Sequence, residues 1–354
     1  MKDLITLESE AKNLLKELIA CPSFSKEESG TATILEAYFL AQKIDPKRHL
    51  NNVWVVNKYY DPSKKTILLN SHHDTVKPNV SYSLNPFEPK EKEGKIYGLG
   101  SNDAGGCLVS LLAAFLYFYE LPELKYNLAF AATAEEEISG KNGIESLLPF
   151  LDKIDCAIVG EPTLLDAAIA EKGLMVLDCT VHGIAGHAAR DEGENAIYNA
   201  LKTIQWFKEF RFEKVSEILG PVKMSVTKIE AGSQHNIIPD RCHFTVDVRV
   251  NECYSLEEIL SVIRQNTDCD IIPRSLRLRS TNIAPEHPLV KAAVLNGSKT
   301  FGSATLSDKA LMPFPALKIG PGDSARSHTA DEFIYSTEIK RGIETYINLL
   351  KHLL

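Results

Sequence analysis

The sequence lacks the features of several classes of protein. Its seven cysteines are an odd number and include no Cys-x-x-Cys pair, so we interpret them as reduced, mostly buried thiols. No block of five or more basic residues occurs and the net charge is −8, which argues against nucleic-acid binding. The longest apolar run, residues 107–119, is too short to span a bilayer. We therefore predict a cytoplasmic protein that binds neither nucleic acid nor membrane.

The N-terminus also lacks a signal peptide, because its apolar residues follow a helical pattern rather than a continuous apolar core with a cleavage site. Hydrophobic residues make up 44% and charged residues 24% of the 354 positions, which is typical of a globular protein. We see no internal repeat and no low-complexity tract. A chain of this length predicts about two domains.

Two sequence textures define those domains. Residues 66–70, 128–133, 156–159 and 316–319 are short, non-alternating apolar runs, typical of a sheet covered by helices on both faces. Residues 173–282 differ, because their strand-like runs alternate and are separated by two helical stretches in the order strand, helix, strand, strand, helix, strand. We predict a mixed-sheet α/β/α domain, residues 1–172 and 283–354, with an inserted ferredoxin-like α+β domain, residues 173–282.

Each buried run of the larger domain is followed directly by potential metal ligands. In chain order these clusters are Ser71-His72-His73-Asp74, Glu135-Glu136-Glu137, Gly160-Glu161-Pro162-Thr163, and Gly320 to Ser324 followed by His328. A fifth cluster contains Asp103 in the glycine-rich segment 97–106. In open α/β sheets, ligands bind outside the carboxyl ends of the strands. We expect the five clusters to meet in one crevice.

The residue types limit which ion this crevice would hold. Imidazole and carboxylate ligands without thiolate suit zinc, cobalt, manganese or iron rather than a structural cysteine-rich zinc site. Two divalent ions about 3.5–4 Å apart are commonly bridged by a carboxylate and a water. With two terminal protein ligands on each ion, such a site requires five protein ligands. The five ligands we predict, which leave Glu136 free, are His72, Asp103, Glu137, Glu161 and His328.

Each cluster taken alone has a simpler interpretation. A single histidine is more often a surface or hydrogen-bonded residue, the glutamate run a solvated loop, and residues 160–163 the start of a helix. Residues 97–106 alone suggest a glycine-rich turn, even a phosphate loop, although the Gly-x-Gly-x-x-Gly spacing and a Gly-Lys-Ser/Thr ending are both missing. The occurrence of all five clusters in one order makes the joint coincidence improbable.

With these five clusters the chain resembles the co-catalytic zinc aminoacylase and metallopeptidase family. This family contains acetylornithine deacetylase, succinyl-diaminopimelate desuccinylase, aminoacylase and glutamate carboxypeptidase. The family's motifs match, in order, residues 71–74 (small residue-His-x-Asp), 98–106 (Gly-x-Gly-x-x-Asp-x-x-Gly-Gly), 135–137 (Asp-Glu-Glu), 160–163 (Gly-Glu-Pro-Thr) and the terminal His328. The resemblance covers essentially the whole chain.

The resemblance implies a role for each residue. His72 and Glu161 would complete one metal site, and Glu137 and His328 the other, with Asp103 bridging. Two further roles are implied beside the metals. Asp74 would hydrogen-bond His72 and fix its tautomer, and Glu136 would be the general base that moves a proton from water to the leaving amine.

Two departures from the family pattern bear on these assignments. His73 offers a second imidazole beside His72, and Glu135 stands where the family has Asp. A shift of one residue in the glutamate triplet would change which residue is the base. We favour His72 over His73 because only His72 keeps the His-x-Asp spacing.

The inserted domain also carries residues that match the family. Gly183 to His187 resembles a motif whose histidine reaches the active site of a neighbouring subunit, and Asn236 and Arg249 match substrate-binding positions. Arg249 is suited to bidentate recognition of an α-carboxylate; the alternative is a surface salt bridge with Asp247. For His187 the alternative is a loop histidine that reaches no active site. In the larger domain we also assign Gly320 to substrate binding.

We therefore predict a hydrolase with two Zn²⁺ ions per chain, with Co²⁺ or Mn²⁺ as substitutes, that removes a short acyl group from the α-nitrogen of an amino acid. The expected partner is a small N-acyl amino acid, and the expected assembly is a homodimer. Acetylornithine or acetylcitrulline, on the route to arginine, are the first candidate substrates. The alternatives are succinyl-diaminopimelate desuccinylation or acyl-lysine deacylation, then a dipeptidase or carboxypeptidase, and least of all a non-catalytic binding protein.

Overall fold

The structure is a computed structural model, and it describes residues 2–190 and 192–354. The chain forms two compact units. Unit 1 comprises Met1–Ile169, Ile283–Phe301 and Ser307–Leu354, and unit 2 comprises Ala170–Asn282 and Gly302–Leu306. The division drawn from the sequence differs in two respects, because it ended the first part of the larger domain at residue 172 and left residues 302–306 in that domain. They group with unit 2 since Ser303 accepts the backbone N–H of Lys172 and Gly302 lies against Ile218.

The elements are numbered along the chain. The strands are β1 (Lys47–His49), β2 (Asn52–Val56), β3 (Thr66–His72), β4 (Lys90–Lys92), β5 (Lys95–Tyr97), β6 (Asn127–Thr133), β7 (Cys156–Val159), β8 (Ala167–Glu171), β9 (Gly173–His182), β10 (Gly186–His187), β11 (Lys223–Ala231), β12 (Ile237–Ile238), β13 (Arg241–Val250), β14 (Asp270–Pro273), β15 (Thr281–Asn282), β16 (Thr300–Ser303), β17 (Ala316–Lys318) and β18 (Phe333–Tyr335). The α-helices are α1 (Leu4–Ala20), α2 (Ser29–Ala41), α3 (Gly106–Phe118), α4 (Ile144–Leu147), α5 (Ala196–Glu209), α6 (Leu256–Asn266), α7 (Pro288–Leu295) and α8 (Ser336–Lys351).

A mixed sheet forms the centre of unit 1, in the order β1-β2-β6-β3-β7-β17-β8. The pairs β6-β3, β3-β7 and β7-β17 are parallel, whereas β1-β2, β2-β6 and β17-β8 are antiparallel. Every residue of β3, β6 and β7 is buried. This explains the non-alternating apolar runs, because a sheet covered on both faces has no polar side.

The two faces of this sheet are covered by different elements. Ile67 and Leu69 of β3 pack into a large core with residues of α1, α2, α3, α7 and α8. Leu68 points to the opposite face, where it packs with Ile144 and Leu147 of α4. A smaller sheet, β18-β5-β4, also belongs to unit 1. The predicted mixed α/β fold is therefore confirmed.

Helix α3 is the most apolar element of unit 1. The stretch Ser101–Phe118 meets the length and composition of a membrane span, but 89% of it is buried inside the fold. It packs in the same core as α1 and α8. A core helix of this kind passes the same test as a membrane span, so the stretch is explained by its packing.

Unit 2 contains a four-stranded antiparallel sheet in the order β11-β13-β9-β14. With α5 after β9 and α6 after β13, this is the chain order and strand order of a ferredoxin-like unit. Ser255 caps α6 through a complete capping box with Glu258. Residues of β9, β13, α5 and α6 form a core of their own.

Candidate active site

Three adjacent parallel strands carry the first part of the site. His72 is the last residue of β3, and it lies opposite Thr133, the last residue of β6. Glu136 and Glu137 follow β6, and Glu161 follows β7 on the other side of β3. Because parallel strands end at the same edge of a sheet, these side chains are brought together as expected.

Asp103 comes from the glycine-rich segment, which forms a short π-helical turn (Ser101–Gly105) leading into α3. Gly100 has a φ of +75°, a left-handed conformation that favours glycine. The backbone N–H groups of Gly100, Asn102 and Asp103 all donate to the carboxylate of Glu332. In the phosphate-loop alternative these N–H groups would bind a phosphate. In this structure they bind the carboxylate of Glu332 instead.

The side chains converge on the Nε2 atom of His72. Oxygens of Asp103, Glu161 and Glu136 lie 3.4, 3.9 and 4.0 Å from it. These side chains form two groups, and within each group the possible ligand atoms lie within 4.8 Å of one another. One group is His72, Asp103 and Glu137, and the other is His72, Glu136 and Glu161. Glu136 lies in the second group, so distance alone does not separate the predicted base from the predicted ligands.

His328 joins the cluster through its Nε2 atom. This atom donates to Glu137 Oε2 at 2.9 Å and lies 3.7 Å from Asp103 Oδ2. The hydrogen bond with Glu137 raises the pKa of His328 to about 9. Its side chain is 54% exposed, so this end of the cluster is open to solvent.

Asp74 fixes the orientation of His72. The Nδ1 atom of His72 donates to the backbone carbonyl of Asp74 at 3.0 Å, and Asp74 Oδ1 lies 3.4 Å from the same nitrogen. Both neighbours are acceptors, so Nδ1 carries a proton and Nε2 is the nitrogen that faces the carboxylates of the cluster. The hydrogen bond goes to the backbone carbonyl, and the predicted role of the Asp74 side chain stays a prediction.

His73 and Glu135, the two uncertain neighbours, face away from this cluster. His73 is buried, with Nδ1 2.8 Å from Thr31 Oγ1 and Nε2 2.9 Å from the Asn51 carbonyl. Burial lowers the pKa of His73 to about 4, so it is neutral. The Glu135 carboxylate accepts both the backbone and side-chain N–H groups of Asn142 and thereby holds the next loop.

The cluster fits a cation by two criteria. His72 Nε2 is buried and forms no hydrogen bond, although it faces several carboxylates. Burial works against a charge on His72, but contacts with Asp103 and Asp74 outweigh it and raise the pKa of His72. Burial, followed by the charge of Glu161, raises the pKa of Glu136. A pocket with so many carboxylates around one free imidazole nitrogen favours positive charge, and its donor set suits a divalent metal.

Gly320 lies beside the Glu161 segment in unit 1. Its N–H donates to Thr163 Oγ1 at 3.0 Å, and a Cβ here would lie 2.6 Å from the Glu161 carbonyl. Only glycine allows this close approach, so Gly320 helps to place Glu161. Its assignment to substrate binding stays a prediction.

The other three predicted residues lie in unit 2. His187 is exposed in β10, where its Nδ1 accepts the backbone N–H of Ala189 at 3.1 Å. Asn236 is exposed and its carbonyl accepts the N–H of Ala188. Arg249 forms two hydrogen bonds with Asp247, of 2.9 and 3.0 Å, which is the salt bridge that the sequence left as its alternative. The catalytic and substrate-binding roles of these residues stay predictions.

Sequence reasoning missed three side chains of the site. Glu332 holds the Asp103 loop, Ser25 donates to Asp74 at 2.7 Å, and Asp308 accepts from Asn70 and Thr133 at the ends of β3 and β6. Ser25 and Asp308 lie in segments without a metal-ligand pattern. Glu332 stands in an acidic pair after His328, which is the one signal that was available.

Fold and site together define an α/β protein with a candidate metal centre at the strand ends of its mixed sheet. A family model, "Peptidase family M20/M25/M40", matches residues 68–352. The chain belongs to this family of metallopeptidases and related hydrolases, which confirms the resemblance drawn from the motifs.

Two named relatives are similar to this chain over most of its length, at low sequence identity. The chain is 28% identical over 270 residues to the succinyl-diaminopimelate desuccinylase of Paracoccus denitrificans, covering 71% of this chain and 70% of that protein. It is 28% identical over 354 residues to the LysW-lysine/LysW-ornithine hydrolase of Sulfurisphaera tokodaii, covering 97% and 95%.

Two solved structures show the same fold. The aminopeptidase PepT of Bacillus cereus has a TM-score of 0.79 at 18% identity, over 98% of both chains. A Bacillus subtilis protein described as a dinuclear metal-binding peptidase of the M20 family has a TM-score of 0.75 at 16% identity, over 98% of this chain and 97% of that one.

Proposed function

We propose that this protein is a di-zinc amidohydrolase that removes a short acyl group from the α-nitrogen of an amino acid. One observation carries the proposal: the side chains of three strand ends and the Asp103 loop meet around the buried Nε2 of His72, which has no hydrogen-bond partner, and His328 joins them through Glu137. Membership in the family supports hydrolysis, and the dinuclear description of a structural neighbour supports two ions.

The five ligands are divided as the motif resemblance implies. His72 and Glu161 would hold one ion, Glu137 and His328 would hold the other, and Asp103 would contribute to both. When bound, the ions polarise the amide carbonyl and lower the pKa of water to about 7. Zinc is proposed as the physiological metal because imidazole and carboxylate ligands suit it; cobalt or manganese would substitute.

Glu136 is the group that moves the proton. Its side chain belongs to the His72 cluster, and its backbone N–H donates to Asp74, which fixes its position in the cluster. It takes a proton from the attacking water and delivers it to the leaving nitrogen, so the amide C–N bond breaks with a neutral amine as product. His187 is proposed to stabilise the oxyanion, and Arg249 with Asn236 to bind the substrate carboxylate.

The named relatives refine the choice of substrate. Succinyl-diaminopimelate and LysW-linked lysine or ornithine are all derivatives of diamino acids. We therefore propose an N-acylated diamino acid: acyl-ornithine, as in the arginine route, remains one candidate, and succinyl-diaminopimelate and acyl-lysine are the others. Acetylcitrulline, a candidate from the sequence, lacks this shared feature.

A panel of substrates tests the proposal. It comprises acetyl and succinyl derivatives of ornithine, lysine, citrulline and diaminopimelate, with a dipeptide as the control for peptidase activity, each measured with and without chelator. We expect chelator-sensitive release of the free amino acid from at least one acyl-diamino acid. Hydrolysis of the dipeptide alone would make the protein a peptidase, and binding without turnover would make it a non-catalytic relative.

We further propose a cytoplasmic homodimer built through unit 2. Support comes from β11, which is an edge strand of the four-stranded sheet and whose residues 227–231 are exposed. An exposed edge strand offers unpaired backbone groups to another strand. Tyr198 and Leu201 on α5 add exposed apolar surface to the same unit.

A further inference from the structure

The Asp103 loop is held by one buried carboxylate. Oε1 of Glu332 accepts the backbone N–H of Asn102 at 2.8 Å and that of Asp103 at 2.9 Å, and Oε2 accepts that of Gly100 at 3.2 Å. The backbone carbonyl of Glu332 also accepts the N–H of Gly98 at 3.0 Å. A single residue therefore accepts four backbone N–H groups from the segment that presents Asp103.

Glu332 is costly to bury and costly to lose. The Glu332 residue is only 2% exposed. A buried N–H left without an acceptor is destabilising, because it has lost its hydrogen bond to water. Three such donors explain why a carboxylate is present in this apolar, acid-rich position.

The Asp103 carboxylate lies between the two imidazoles of the site. Its Oδ1 is 3.4 Å from Nε2 of His72, and its Oδ2 is 3.7 Å from Nε2 of His328. A rotation or shift of the Asp103 backbone would therefore change both distances at once. The hydrogen bond from its own N–H to Glu332 restricts that movement.

We propose that Glu332 is a positioning residue that sets the metal affinity of the site by fixing the backbone of Asp103. This inference rests on the proposed function, because it assumes that Asp103 binds metal. The carboxylate of Glu332 hydrogen-bonds backbone N–H groups rather than the ligand atoms of the cluster, so it acts through the three N–H groups that it holds. Losing such a hydrogen-bonding partner typically lowers metal affinity about 10–100-fold.

The neighbouring residue provides a matched control. The carboxylate of Asp331 also holds a loop, because it accepts the N–H and hydroxyl of Ser83 and the N–H of Leu84 at 2.5–2.9 Å. It contacts no residue of the metal cluster through these bonds. Asp331→Asn therefore disturbs a loop of similar connectivity without disturbing Asp103.

The test uses the full-length protein stripped of metal and titrated with Co²⁺, with the visible absorption spectrum and the melting temperature as readouts. We expect Glu332→Gln to bind Co²⁺ about 10–100-fold more weakly than the unchanged protein and to show an altered spectrum. Asp331→Asn should match the unchanged protein in both. Glu332→Asp, whose carboxylate is one methylene farther from the loop, should lose less affinity, and it serves as the test if Glu332→Gln does not fold.

Two results would overturn the inference. Unchanged Co²⁺ affinity and spectrum in Glu332→Gln, even with a lower melting temperature, would show that Glu332 only stabilises the loop and would leave the proposed function standing. If the unchanged protein binds no Co²⁺, the proposed metal centre fails and the inference fails with it.

Discussion

The carboxylate of Asp74 accepts the backbone N–H of Glu136 at a distance of 3.0 Å. Its other oxygen accepts the N–H of Glu137 at 3.2 Å and the hydroxyl of Ser25 at 2.7 Å. The same residue contacts His72. One buried residue, through its carboxylate and its backbone carbonyl, thus connects a predicted ligand on β3 with the proposed base and a second ligand after β6.

Replacing Asp74 with Asn should weaken this connection. An amide keeps one acceptor but turns the other into a donor that faces a backbone N–H, so the loop carrying Glu136 and Glu137 must move. We expect metal affinity or activity to fall about 10–100-fold. Ser25→Ala is the control, because it removes only a neutral hydrogen bond and should keep metal content at a cost of about 1 kcal/mol in stability. Equal metal loss in both variants would contradict this role.

A comparison of the variants His328→Ala and His73→Ala distinguishes a histidine that binds metal from a histidine that is only structural. His328 lies within reach of Glu137 and Asp103, whereas His73 is hydrogen-bonded to Thr31 and Asn51. We expect elemental analysis to show reduced metal and far lower activity for His328→Ala. His73→Ala should keep its metal but lose about 1–3 kcal/mol of unfolding free energy, because two buried partners lose their hydrogen bonds. Equal effects on metal content would show that the His-x-Asp register is wrong.

Asp308 gives a prediction for pH. It is buried, and burial raises its pKa from 3.8 to about 6, against the hydrogen bonds from Thr133 and Asn70. Because the folded state holds this proton more tightly than the unfolded state, the contribution of Asp308 to stability is complete below pH 3.8 and is lost as the pH rises through 6. The difference corresponds to about 3 kcal/mol.

Asp308→Asn should remove this dependence. Denaturant unfolding between pH 4 and 7 should show the variant gaining stability relative to the unchanged protein as the pH rises, by up to about 3 kcal/mol. Parallel stability curves would mean that the Asp308 pKa is ordinary in the folded state.

The sequence predicted the positions of the strands well because the apolar runs were buried on both sides. The run 156–159 is β7 itself, and β13 (Arg241–Val250) is an alternating strand within the segment 173–282, where alternating strands were predicted. The same pattern placed His72, Glu136 and Glu161 at strand ends, which is why their meeting could be expected. The helix start considered for residues 160–163 was wrong, since Thr163 instead pairs with Asp323 in an isolated bridge.

The supporting residues were not predictable in this way. Glu332 is 229 residues away in sequence from the Asp103 N–H that it accepts, and Asp308 is 175 residues from Thr133. A hydrogen bond to a backbone N–H requires an acceptor but no particular sequence pattern, so neither contact leaves a local signal. The grouping of residues 302–306 with unit 2 could not be predicted for a similar reason, because so short a segment shows no change in composition.

The proposed assembly is tested by sedimentation. We predict a homodimer. His187→Ala should lower turnover without changing metal content, because His187 is proposed to act on the substrate and is not one of the proposed metal ligands. A fully active monomer, or a His187→Ala variant with normal turnover, would remove the role of His187.

The measurement that tests the central claim most directly is the metal content and turnover of Glu136→Gln and Glu137→Gln, measured together on the acyl-diamino acid that the panel identifies. Gln keeps the size of Glu but removes the proton acceptor and is a poorer metal ligand. Glu136→Gln should keep both metals and the fold while turnover falls about 10²–10⁴-fold, the range for a lost general acid–base group. Glu137→Gln should lose metal together with activity. If Glu136→Gln lost metal while Glu137→Gln kept it and was inactive, the two roles would be exchanged, and if Glu135→Gln were the inactive variant with full metal content, the assignment of the triplet would be contradicted.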